Sequence, residues 1–132
     1  MATCRSIATI VPMAHHSVCG LLGPRCIAGE RKRWNALFKE QGIDAFFDCY
    51  KASTFADLEL RLAEMFHLGR RGYLVVPVLQ QLIIPLLDRL DKTATEKRRV
   101  DTIVNTDGVI CGYWMGDWQS EEQVSRIMKL WF

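Results

Sequence analysis

Two aspartates stand where side chains could do acid–base work. Asp101 and Asp117 each follow or end an apolar element, and acidic groups at such ends face the crevice of an open α/β sheet. A structural role competes with that one: Asp117 lies three residues before Ser120 and Asp101 precedes a strand-like run, so each also suits a cap or turn. The histidines offer less. His15 and His16 are a pair in an N-terminal extension, and His67 falls near the end of a helical pattern, where a cation suits the helix dipole. The five cysteines, Cys4, Cys19, Cys26, Cys49 and Cys111, include no C-x-x-C and do not interleave with histidine at zinc spacing. An odd count without a regular framework favours a reduced, intracellular chain, so the expected location is cytoplasmic. No serine stands in a nucleophile elbow. There is no P-loop and no G-x-G-x-x-G; Gly20, Gly23 and Gly29 lack the spacing of a dinucleotide turn, and no metal or cofactor site is expected in these residues.

Such residues need a scaffold, and the chain supplies one domain of ordinary size. Its 132 residues are 49% hydrophobic and 24% charged, which suits a soluble globule with a single core. A net charge of +2 does not predict nucleic-acid binding. The basic runs Arg31-Lys32-Arg33, Arg70-Arg71 and Lys97-Arg98-Arg99 read as solvated helix faces or ends, with an anion site as the competing reading. The longest uncharged run, Gly72 to Leu87, is sixteen residues broken by two glutamines and two prolines, too short and too polar to cross a bilayer.

Strand-like and helix-like pieces alternate. Ser17 to Leu22 reads as a short buried strand closed by Gly23-Pro24. Glu30 to Gln41 reads as a helix with Trp34, Leu37, Phe38 and Gln41 on one side and Gly42 at its C-terminal cap. Ala45 to Tyr50 is strand-like. Thr54 opens the clearest helix, with Asp57 at capping-box spacing, the apolar stripe Leu58, Leu62, Met65 and Phe66, and Gly69 at the end. Gly72 to Val78 is β-rich. Leu79 to Leu90 is helical in pattern, with a kink or break expected at Pro85. Thr93 to Arg99 reads as a short polar helix or turn. Asp107-Gly108 between Thr102–Asn105 and Val109–Tyr113 predicts a hairpin. Ser120 begins a last helix, whose Val124, Ile127, Met128 and Trp131 share a face. The sum is an α/β three-layer sandwich: a mainly parallel open sheet with helices on both faces, preceded by an extension over residues 1–16 and occupying residues 17–132.

Two blocks carry a family likeness. Gly72 to Asp88, G-Y-L-V-V-P-V-L-Q-Q-L-I-I-P-L-L-D, resembles G-x-N-V-T-x-P-x-K-E-x-x-x-P-L-L-D of the shikimate dehydrogenases. Arg99 to Gly116, R-V-D-T-I-V-N-T-D-G-V-I-C-G-Y-W-M-G, resembles A-V-N-T-I-V-N-x-x-G-x-L-x-G-x-N-T-D of the same family, and no gap separates the two matches. Trp34-Asn35-Ala36-Leu37-Phe38, Gly42-Ile43 and Leu68 to Gly72 also fit, so the likeness spans about residues 17 to 118. It implies the family's N-terminal, substrate-binding domain. In the complete enzymes a following Rossmann domain binds NADP.

The resemblance also implies that polar positions have changed. The family transfers protons with a lysine and an aspartate. The ungapped register puts Gln80 at the lysine, a one-residue slide puts Leu79 there, and the aspartate position is Gly116, with Asp117 one residue later. An amide does not titrate, so general acid–base help of roughly a hundred- to ten-thousand-fold is expected to be missing. The threonine of V-T-x-P is Val76 and the asparagine of V-N-T is Asp101. The two serines that hold shikimate's carboxylate fall at Ala28 and Glu30, and a carboxylate at Glu30 would select against an acidic ligand unless Arg25, Arg31 or Arg33 turns inward.

The substrate-binding positions are thus Ala28, Glu30, Val76, Gln80, Asp101 and Asp117, and no catalytic residue is assigned, Asp101 and Asp117 being the possible substitutes. The leading expectation is a stand-alone, non-catalytic domain that binds a small polyhydroxylated molecule or a protein. The alternative is a divergent shikimate- or quinate-type oxidoreductase that takes NADP through a cofactor domain on another chain. A third role is structural: Trp114, Trp118 and Trp131 crowd the C-terminal region, where aromatics suit a homodimer or partner contact. Neither nucleic acid nor membrane is an expected partner.

Overall fold

A computed structural model describes residues 16–116 and 118–132. The expectations for residues 1–15, which include His15 and nearly all of the extension, and for Asp117 lie outside the described residues. Among the described residues, six strands and four α-helices follow one another: β1 (Ser17–Gly23), α1 (Glu30–Glu40), β2 (Ala45–Lys51), α2 (Phe55–Leu68), β3 (Gly72–Val75), β4 (Arg89–Leu90), α3 (Lys92–Lys97), β5 (Thr102–Thr106), β6 (Val109–Tyr113) and α4 (Glu121–Trp131).

The helix signals act as expected. Thr54 accepts from the Asp57 N–H while the Asp57 carboxylate accepts from the Thr54 N–H, a reciprocal capping box, and Gly69 closes α2 in the left-handed conformation. Ser120 accepts from the Gln123 N–H at the start of α4. The segment expected to be helical from Leu79 to Leu90 is not. It forms two 3-10 turns, Pro77–Leu79 and Ile84–Leu86, and then β4. Each turn carries a proline in its first turn; a ring without an N–H starts a turn easily but cannot continue an α-helical ladder.

The sheet order is β2-β1-β3-β5-β6-β4. β1 pairs in parallel with β2 and β3, and β4 with β6, while β3–β5 and β5–β6 are antiparallel. The β5–β6 hairpin turns at Asp107 (φ 52°) and Gly108 (φ 92°), both left-handed, as a two-residue hairpin loop requires. Asn105 Oδ1 accepts from the Gly108 N–H at 2.8 Å and steadies that turn.

Strand residues alternate between two covered faces. On one, Trp34 of α1 stacks on Phe47 of β2 (5.5 Å) and meets Trp131 of α4 (5.4 Å). Trp131 is fully buried, lies against Gly72 and donates from its indole N–H to Ile103 O at 3.1 Å. On the other face, next along β3, the Tyr73 hydroxyl reaches Arg61 O of α2 at 3.1 Å. Helices therefore cover both sides of the sheet, and α4 closes one of them.

The cysteine expectation needs correcting. Cys26, in the β1–α1 loop, is disulfide-bonded to Cys49 of β2, with Cα atoms 5.4 Å apart. Spacing along the chain hides this pair. Because β1 and β2 run parallel, with Gly23 opposite Lys51, the loop leaving β1 passes the end of β2.

A Cβ on Gly72 would collide with the Trp131 indole. Gly72→Ala is expected to cost about 1–3 kcal/mol of unfolding free energy, the usual range for overpacking. Denaturant titration should show the same change costing less in a Trp131→Phe background, because the two sites share one volume.

Candidate functional site

The residues at the matched polar positions meet at the ends of β1, β3 and β5. Val76 follows β3 and is buried against Gly23, its N–H donating to Leu22 O at 3.1 Å. The turn at Pro77–Leu79 then carries Gln80 inward, where its carbonyl accepts from the Val100 N–H at 3.0 Å. Asp101 follows directly. Its backbone joins three strands: its carbonyl accepts from the Val75 N–H at 2.9 Å and its N–H donates to Tyr113 O at 3.0 Å.

The side chains of Gln80 and Asp101 engage the protein itself. Gln80 is 3% exposed, its amide Nε2 donates to Val75 O at 2.9 Å, and its Oε1 is buried with no hydrogen-bond partner. Asp101 is 1% exposed. Its carboxylate accepts from the Met115 N–H (2.8 Å), the Gly116 N–H (2.9 Å) and the Thr102 hydroxyl (3.1 Å). Burial pushes the Asp101 carboxyl above its ordinary value of 3.8, and the bonds from Met115, Thr102 and Gly116 pull the other way. Gly116 takes φ 100°, a conformation open to glycine, which lets its N–H turn to Asp101.

Ala28 sits on the adjoining β1–α1 loop and Glu30 opens α1. Ala28 is exposed. Glu30 is buried, but its carboxylate is not bare: Trp34 Nε1 donates to it at 3.3 Å and Arg33 Nη1 lies 3.4 Å away. Of the three arginines considered as neutralisers, Arg33 takes that role and also donates to Trp118 O (2.8 Å) and Gln119 O (3.0 Å). Arg31 pairs instead with Asp48 at 3.1 Å.

The structure thus brings Gln80, Asp101 and Gly116 together, with Val76 beside them. Gln80 and Asp101 hold backbone, a role that only the cap reading of Asp101 anticipated. Sequence reasoning missed a second feature, the indole of Trp114 flanked by Lys97 (5.3 Å) and Arg99 (5.6 Å); the basic run at 97–99 was its only signal. A groove of about 750 Å³ lies elsewhere, between α1 and α4, lined by Arg33, Leu37, Val124, Met128 and Phe132 among others. Among the described residues no group of three His, Cys, Asp or Glu side chains could hold a metal ion, and no helix is long and apolar enough to cross a membrane.

Fold and site define an α/β domain with a polar corner at the strand ends, and known proteins share the fold. No family model matches the chain. The shikimate dehydrogenase (NADP(+)) of Pyrococcus abyssi is 32% identical over 79 residues, which is 60% of this chain and 29% of that protein. A shikimate dehydrogenase crystallised in complex with NADP+ superposes with a TM-score of 0.72 at 27% identity, covering 77% of this chain and 36% of that one. The shikimate dehydrogenase of Aquifex aeolicus gives 0.71 at 26%, covering 77% and 38%. The chain is homologous to shikimate dehydrogenases in sequence and structure, and it spans about a third of the length of these relatives.

The Asp101 carboxyl should titrate above 3.8 when followed by carbon NMR. A folded-state value raised above the unfolded one gives stability that is complete below the ordinary carboxyl range and is lost as pH rises through the raised value. The stability deficit of Asp101→Asn, read from denaturant unfolding, should therefore narrow from acid pH towards neutrality.

Proposed function

We propose that this domain keeps the shikimate dehydrogenase substrate-domain fold without its proton-transfer pair, and acts as a binding module for a small, uncharged, polyhydroxylated molecule. One observation carries the reading: the groups at the polar positions are engaged with the chain's own backbone. Gln80 donates to Val75 O, and the Asp101 carboxylate accepts from two N–H groups and a hydroxyl. A carboxylate held by three donors is poorly placed to take a proton from a carbinol, and an amide cannot. Gly116, at the family's aspartate position, has no side chain to offer.

The same corner supports a neutral ligand. Gln80 Oε1 is a buried acceptor without a donor, which a hydroxyl would satisfy. Asp101 places a buried carboxyl group at this corner with no cation paired to it among the described residues, so an acidic ligand would meet like charge there, whereas Arg33 already offsets Glu30. The strand-to-helix connections do not fit a dinucleotide: after β1, the glycines Gly23 and Gly29 are too far apart to form its turn. The reading therefore gives NADP no place on residues 16–132.

A thermal-shift panel of shikimate, quinate, neutral sugars and inositols tests this. The expected result is stabilisation by one or more neutral compounds and none by the two acids, with Gln80→Leu abolishing the shift. Stabilisation by shikimate or quinate alone would overturn the ligand assignment. Shikimate-dependent reduction of NADP+ by the purified chain, alone or mixed with a dehydrogenase Rossmann domain, would overturn the non-catalytic reading.

A further inference from the structure

The loop between β1 and α1 carries the exposed Ala28 and leads into the buried Glu30, and a single covalent bond ties it to the sheet. Cys26 is exposed in that loop, while Cys49 is half-buried in β2 at the edge of the sheet. The loop's own backbone bonding is light: the Glu30 N–H donates to Ile27 O at 3.2 Å and the Arg33 N–H to Gly29 O at 2.9 Å. Gly29 stands left-handed at φ 85° with open space around it, so packing adds little there. Five consecutive residues, Arg25 to Gly29, are exposed. Holding such a segment against β2 falls to the disulfide.

We propose that Cys26 and Cys49 are a thiol–disulfide exchange site that fixes or frees the β1–α1 loop. The exposed Cys26 sulfur is the point of attack for small thiols and disulfides, and the half-buried Cys49 is its resolving partner. Closure by a small disulfide such as oxidised glutathione proceeds in two exchanges. The Cys26 thiolate attacks it, forming a mixed disulfide and expelling one small thiolate. The Cys49 thiolate then attacks the Cys26 sulfur and expels the second. Two protein thiols are oxidised, one small disulfide is reduced, and the two thiol protons end on the two released thiols. Reduced glutathione reverses both steps.

The other described cysteines do not compete. Cys19 is fully buried, and burial drives its thiol far above the ordinary range; burial also raises that of Cys111. Neither is a ready thiolate at neutral pH. The consequence for ligand binding rests on the function proposed above, because Ala28 and Glu30 follow Cys26 by two and four residues. The exchange chemistry itself does not need that reading.

The test uses the whole chain in glutathione buffers stepped from reducing to oxidising, with thiols counted by alkylation and peptide mass and backbone exchange followed by deuterium uptake. The expected result is loss of the Cys26 and Cys49 thiols together, full recovery on return to reduced glutathione, and severalfold slower amide exchange over residues 25–29 in the closed form with α2 unchanged. Cys26→Ser and Cys49→Ala should each remove the redox dependence. Three results overturn the proposal: thiols that stay free at every glutathione ratio, a bond that reduced glutathione does not reopen, or equal exchange over residues 25–29 in both forms. None of these depends on the ligand panel, so either proposal can fail without the other.

Discussion

The architecture of the site turns on one buried residue. Asp101 links β3 and β6 through its backbone and holds the segment after β6 through its carboxylate. A carboxylate this deeply buried is costly unless donors surround it, and three do. The arrangement is satisfied only while β3, β5 and the loop at Met115–Gly116 keep their mutual positions. An asparagine there would offer a donor as well as an acceptor. The aspartate offers acceptors alone, and it faces backbone N–H groups that need them.

The neighbours of Asp101 follow the same pattern. Gln80 stands beside Asp101, linked through the Val100 N–H, and it too points its donor at backbone. Glu30 reaches the same end of the molecule already neutralised by Arg33, whose guanidinium also grips the carbonyls of Trp118 and Gln119. These polar groups act as internal braces, and the corner's hydrogen bonds run between protein and protein.

The legible part of this molecule was the part governed by local rules. Capping residues, Asp107-Gly108 and the apolar stripes of α1, α2 and α4 each act through neighbours a few positions away, and they marked their elements correctly. The blocks Gly72 to Asp88 and Arg99 to Gly116 meet because β3 pairs with β5. What stayed hidden was long-range. Nothing near Cys26 announces Cys49, because their meeting depends on β1 and β2 running side by side in one direction. Trp131, one of the aromatics that suited a partner contact, is enclosed by Trp34, Gly72 and Ile103 of its own chain. The stretch after Val76 was misread because its apolar residues recur at helical intervals, and the two prolines outweigh that rhythm.

The strand order has a consequence for how the chain assembles on the ribosome. β2 and β3 flank β1 and all three emerge before the rest of the sheet, so one half of it can zip together once Val75 is released. β4 is different. It borders only β6, which is made some twenty residues later, after α3 and β5 have appeared. Until Tyr113 leaves the exit tunnel, β4 has no strand to join. In a chain synthesised at roughly 5–20 residues per second, that leaves a window of a second or more. In that interval the unpaired edge of β4 is open to a chaperone or to a neighbouring nascent chain.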